Sequence, residues 1–92
     1  MSMNETIAHN RTEIDKIDKF IIDLLKQRFE LAVAIGREKR VLGVGVLDSS
    51  REQDVLEDRA DYAESEGLNP DFIKRLIQLI MDESKSIQEN LG

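Results

Sequence analysis

Two basic side chains stand where a hydrophobic helical stripe calls for apolar ones. Arg28 sits between Leu24 and Leu31 on the line Ile7, Asn10, Ile14, Ile17, Ile21, Leu24, Arg28, Leu31, Ile35, Glu38, Leu42, which advances in steps of three and four. Lys39 follows eleven residues later, about 20° further round a helix and about 16 Å along it. Burying either cation without a partner would be costly, and two long cationic stems leaning to one side suit a small dianion. The other reading of Arg28 is a seam arginine that pairs with an acid of another chain or fixes register. Further on, the line Ile77, Met81, Ser84, Gln88 turns from apolar to polar. Buried hydroxyl and amide groups need partners, so Ser84 and Gln88 either face a polar cavity or mark where the helix emerges into solvent. Between these groups lies Asp48-Ser49-Ser50-Arg51-Glu52, in which Arg51 and Glu52 serve either a site or an ordinary helix start. Arg11 is about 25 Å from Arg28 along the same axis, too far for both to clasp one small ligand within a chain. In an antiparallel dimer, Arg11 of one copy comes opposite Arg28 and Lys39 of the other. His9 reads as fringe and Met81 as core.

Composition narrows the chemistry. The chain has 92 residues, 19 acids against 13 bases, and a net charge of −6. That length suits one domain, 1–92, with a small core. A net negative chain is poorly suited to holding nucleic acid through bulk electrostatics. No run approaches the roughly 18 apolar residues of a membrane span, and the polar start MSMNET lacks the apolar stretch of a secretory signal. With no cysteine and one histidine, thiolate metal sites and metal sites built from several histidines are excluded. Five glycines, one proline and 4% aromatic residues disfavour sheets, which recruit aromatic and β-branched residues and need many turns.

The pattern predicts an all-α chain of three helices, the first very long. The first runs from about residue 6 to 41 with nearly heptad spacing; Gly36 inside it costs about 1 kcal/mol relative to Ala. That glycine marks either close packing or an approach to the backbone. Leu42 to Leu47, with two glycines, reads as a mobile loop. Ser49 followed by Glu52 matches a capping box, which starts a second helix near Ser50. Its apolar residues are Val55, Leu56, Ala60, Tyr62 and Ala63, and it ends at Glu66-Gly67. Asn69-Pro70 starts a third helix, from about 70 to 90, that buries Ile73, Leu76, Ile77, Ile80, Ile87 and Leu91. The first helix would span about 54 Å, whereas a compact globule of this length is about 30 Å across. A second copy is needed to cover its stripe, most simply in a twofold dimer.

Taken together these positions resemble the all-helical chorismate mutases, including the mutase domain of the bifunctional mutase–prephenate dehydratase. The resemblance runs from Arg11 to Leu91. It is carried by Arg11 and EIDKID at 13–18, LLKQRFELA at 24–32, IGREK ending at Lys39, Asp48-x-x-Arg51-Glu52, and LNPDFIKRLIQLIMDESKSIQ at 68–88. No single segment is specific; their order and spacing are. The resemblance implies a cytoplasmic enzyme of aromatic amino-acid biosynthesis, an intertwined homodimer without cofactor or metal, that converts chorismate to prephenate by a Claisen rearrangement. By position, Arg28 and the other copy's Arg11 would bind the two carboxylates. Lys39 would contact a carboxylate and the ether oxygen, and Gln88 would donate to that oxygen. Ser84 would support a carboxylate, Glu52 and the region of Asp48 would hold the ring hydroxyl, and Arg51 would back them. Ile35 and Met81 would form apolar walls. Where family members often carry a proline near 45 and a basic residue near 47, this chain has Gly45 and Leu47. Its loop should therefore lose more entropy on ordering and bind substrate more weakly.

Two other functions compete. Isochorismate-pyruvate lyase shares the fold and the basic cluster, but is expected to carry an apolar side chain at the place of Glu52. A non-catalytic helical dimerisation module would tolerate loss of Arg28 or Lys39. If Gln88 is the neutral donor, turnover needs no protonated acid there. A pH–rate profile should accordingly stay high into mildly alkaline solution and fall only as a cation deprotonates; a steep single-group fall between about pH 6 and 8 would contradict this assignment.

Overall fold

The computed structural model describes residues 2–91. They form α1 (Met3–Leu42), α2 (Ser49–Ser65) and α3 (Pro70–Glu89), with no strand among the described residues. The all-helical expectation holds, with a first helix of 40 residues. The chain divides into two compact units, one ending at Leu31 and the other beginning at Ala32, so α1 contributes to both. Among the described residues, no helix is long and apolar enough to cross a membrane.

The N-terminal unit is the first part of α1. It begins at Met3, earlier than the hydrophobic pattern indicates, because Ser2 caps it. The Ser2 hydroxyl accepts from the Glu5 amide at 3.1 Å, and the Glu5 carboxylate accepts from the Ser2 amide at 3.0 Å. This reciprocal pair satisfies two otherwise orphaned donors of the first turn. Ile7, Ile14, Ile17, Ile21, Leu24 and Leu31 are all exposed. The stripe that shaped the helix is therefore in water on the single chain.

The C-terminal unit holds the buried residues: Ala32, Gly36, Val55, Ala60, Ala63, Met81 and Gln88. Small side chains on α2 let it pack closely on α3, while the larger ones at the margins are only partly covered. Ile73, Ile77, Ile80, Ile87 and Leu91 are half-buried, and Leu76 is exposed. Tyr62, expected among the apolar residues of α2, is also exposed, which leaves its hydroxyl in water next to the buried Ala63.

Both loops begin in the same way. The Gly43 amide donates to Arg40 and the Val44 amide to Lys39; likewise Gly67 donates to Glu64 and Leu68 to Ala63. These are paired Schellman bonds, with Gly43 at φ 72° and Gly67 at φ 76°, a conformation that costs only glycine little. The start of α2 differs from the capping box expected of Ser49. Asp48 is the cap, its carboxylate accepting from the Arg51 amide at 3.0 Å, so α2 begins one residue early and Glu52 is released for another partner. Asn69 caps α3 as expected, accepting from Asp71 and Phe72 ahead of Pro70 in the first turn.

Gly36 resolves as a close-packing position. A β-carbon there would lie 2.8 Å from Gln88 Cγ and 2.9 Å from Leu91 Cδ1. The leucine tip can swing away; the buried glutamine stem cannot. Alanine would gain about 1 kcal/mol of helix propensity but cost about 1–3 kcal/mol in overpacking. Gly36→Ala should thus lower the urea midpoint, and do so less in a Gln88→Ala background, where the obstructing Cγ is gone. A midpoint raised by Gly36→Ala would mean that propensity outweighs the contact.

Candidate active site

The chemistry concentrates on one face of α3. At about 100° per residue, Met81 and Gln88 lie along its centre, Ser84 on one flank and Lys85 on the other. Met81 is buried, Gln88 is 9% exposed, and Ser84 and Lys85 are half-buried. The polar end of the stripe is thus turned inward; the alternative, a helix emerging into solvent, does not hold for Gln88. Its Nε2 donates to the Ala32 carbonyl at 2.9 Å, which meets the requirement that a buried amide be paired. The Ser84 hydroxyl donates to the Ile80 carbonyl at 3.0 Å, a bond within its own helix that orients the hydroxyl oxygen as an acceptor.

Lys39 is half-buried on the last turn of α1. Its ammonium donates to the Val46 carbonyl at 2.9 Å, while its own carbonyl accepts from Val44. Side chain and main chain of one residue thus tie the following loop to the helix end. An ammonium has three donors, so two remain for an anion.

Glu52, one turn into α2, reaches Lys85 of α3. Lys85 Nζ lies 2.8 Å from Glu52 Oε1, with side-chain exposures of 27% and 21%. That oxygen is buried and has no well-aligned hydrogen bond, so proximity to the ammonium compensates it. Asp82 lies 3.4 Å from the same ammonium, but its side chain is 55% exposed and also accepts from Gln78. Lys85 is the charged residue of this face that the sequence pattern left unremarked. The signal was present: four residues beyond Met81 and three before Gln88, it shares their face.

The other expected site residues are less enclosed. Asp48 is engaged as the cap of α2, and Arg51 is exposed. Ile35, expected as an apolar wall, is 53% exposed, so on the single chain it walls nothing off from water. Arg11 and Arg28 belong to the N-terminal unit, the first exposed and the second half-buried. The C-terminal unit therefore brings together Gln88 with the Ala32–Gly36 turn, and Glu52 with Lys85. It supplies a rigid amide donor, an ammonium with donors to spare and a charge-compensated carboxylate, a set fitted to hold and polarise a small polar anion.

The chorismate mutase type II family profile matches residues 10–89. The chain belongs to that family. It is 36% identical over 91 residues to the bifunctional chorismate mutase/prephenate dehydratase of Escherichia coli (strain K12), covering 99% of this chain and 24% of that protein. The T-protein of Enterobacter agglomerans is 34% identical over 82 residues, 89% of this chain and 22% of that protein. The chain thus spans about a quarter of the length of these relatives. The 4-amino-4-deoxychorismate mutase of Streptomyces venezuelae is 28% identical over 89 residues, 97% of this chain and 86% of that protein.

The Lys85 ammonium is held above its ordinary value of 10.5, first by its short-range contact with the Glu52 carboxylate, against the opposing effect of burial, with the charge of Glu52 and contact to Asp82 adding. A raised value means that the fold favours the protonated amine. The resulting stability is complete below 10.5 and is lost as pH rises through the higher value of the folded state. Urea unfolding followed into strongly alkaline solution should show wild type losing more stability above pH 10.5 than Lys85→Met. Parallel losses would mean that the ion pair does not report on folding.

Proposed function

We propose that the chain is a chorismate mutase, converting chorismate to prephenate as a cytoplasmic, cofactor-free homodimer in aromatic amino-acid biosynthesis. The observation that carries this reading is the buried, immobilised amide of Gln88 in a chain of the chorismate mutase type II family. The rearrangement is unimolecular: one carbon–oxygen bond breaks as a carbon–carbon bond forms, with no nucleophile and no net proton transfer. The enzyme must hold a flexible dianion in its compact reactive conformer and meet the charge that develops on the ether oxygen.

Residues divide accordingly. Arg28, with Arg11 contributed by a second copy, binds the carboxylates, and Ser84 supports one of them. Lys39 and Gln88 donate to the ether oxygen. Gln88 must exchange the Ala32 carbonyl for substrate or share its second N–H. Glu52 and Asp48 hold the ring hydroxyl, Arg51 backs them, and Ile35 and Met81 become apolar walls once the second copy is in place. The exposed isoleucine and leucine stripe of α1 supports the dimer, because an apolar strip of that extent is stabilised by a like strip on a second chain.

Following chorismate loss directly, Lys39→Ala should fall by about 100-fold or more, the usual cost of one transition-state donor. Arg11→Ala should also be nearly inactive alone. Mixing and re-equilibrating the two should recover about a quarter of wild-type activity, since about half the dimers are mixed and each holds one complete site. No recovery would mean that Arg11 does not act across the dimer. Absence of chorismate loss in wild type would overturn the reading altogether, and release of pyruvate from isochorismate would replace it with the lyase.

A further inference from the structure

We propose that Lys85 is a positioning and specificity-determining residue, which neutralises Glu52 so that the site accepts a neutral hydroxyl and rejects a cationic amino group at the same ring carbon. The inference rests on the chorismate mutase reading above and deepens it by stating which substrate of this class the site selects.

The relatives include both possibilities. One is named for chorismate, and another for 4-amino-4-deoxychorismate, in which, as the name states, an amino group replaces the oxygen at carbon 4. An aliphatic amine is protonated near neutral pH, whereas a hydroxyl is neutral. The two substrates therefore present opposite demands to the carboxylate that receives this substituent. A buried carboxylate without a counter-charge would favour the ammonium, because the substrate itself would compensate it.

Here the compensation is already built in. Lys85 Nζ stands 2.8 Å from Glu52 Oε1, both side chains more than two-thirds covered. The carboxylate keeps acceptor sites for a hydroxyl proton, but its charge is offset, and an incoming ammonium would face Lys85 across the same group. Asp82 weakens this only slightly, since its 3.4 Å contact lies in a more exposed position where water screens it. Lys85 touches Glu52 rather than the reacting atoms, so its effect is on which substrate is chosen. Its place beside the Met81–Gln88 line of α3 sets the ion pair at the flank of the face that carries Gln88.

The test compares kcat/KM for chorismate and for 4-amino-4-deoxychorismate on the full chain. Wild type should prefer chorismate by at least about tenfold, and Lys85→Met should move that ratio toward the amino substrate by about tenfold or more, the scale of one like-charge contact near a surface. Lys85→Arg, which restores the cation, should return the ratio toward wild type. A merely structural ion pair would lower the stability of Lys85→Met and leave the ratio unchanged; that result overturns the inference while chorismate turnover stands. Should Lys85→Met fail to fold, the wild-type ratio still decides: preference for the amino substrate overturns the inference, and preference for chorismate with the ratio kept by Lys85→Arg supports it. If wild type turns over neither substrate, the chorismate mutase reading fails and this inference with it.

Discussion

A single hydrogen bond organises the C-terminal unit: the Gln88 amide on the Ala32 carbonyl. A carbonyl inside a helix already accepts one amide, and its second lone pair is the only capacity left. To reach it, the glutamine stem must lie against the backbone of α1, and Gly36 is the residue that leaves the space. The bond thus requires a helix former to be given up in mid-helix, at a cost in propensity, in return for a polar side chain held still in a buried place. An amide so fixed needs little reorganisation when charge develops nearby, which is the condition under which a neutral donor contributes most to catalysis.

Two lysines of the same unit do different work with similar chemistry. Lys39 takes one carbonyl of the loop it precedes and retains donors for an anion. Lys85 is committed to a carboxylate and sets that carboxylate's effective charge. The chain as a whole is acidic, with a net charge of −6, so a cationic patch on it must be local and positioned. Short-range ion pairs achieve that where the mean charge cannot, because screening removes the distant acids but not a contact of a few ångströms.

Much of the scaffold was legible from short-range rules. Asn69-Pro70 and Gly67 act as start and stop signals because each satisfies amides or carbonyls within one turn of itself. The stripe of α1 was equally plain. Capping shows where such rules end. Ser2 and Glu5 form the reciprocal box, whereas the same spacing at Ser49 and Glu52 does not, since Asp48 caps first and Lys85 draws Glu52 away. Both sites carry the same local signal, and competition from a residue on another helix separates them. Tyr62 is a similar case: its spacing on α2 suited the apolar set, yet α3 covers the neighbouring alanines and leaves the ring in water.

Three helices, their glycine and asparagine punctuation, and an arginine and a lysine on one side of the first follow from the order of amino acids alone. Those features follow from the helical repeat and from groups within about four residues of one another, where covalent geometry sets the distances. That Gln88 is buried rather than solvated, that Gly36 makes room for it, and that Glu52 pairs with Lys85 emerges once the helices pack. Each of these joins residues far apart along the chain, and which of several possible partners a polar group meets is settled by how side-chain volumes pack, a quantity no local spacing encodes.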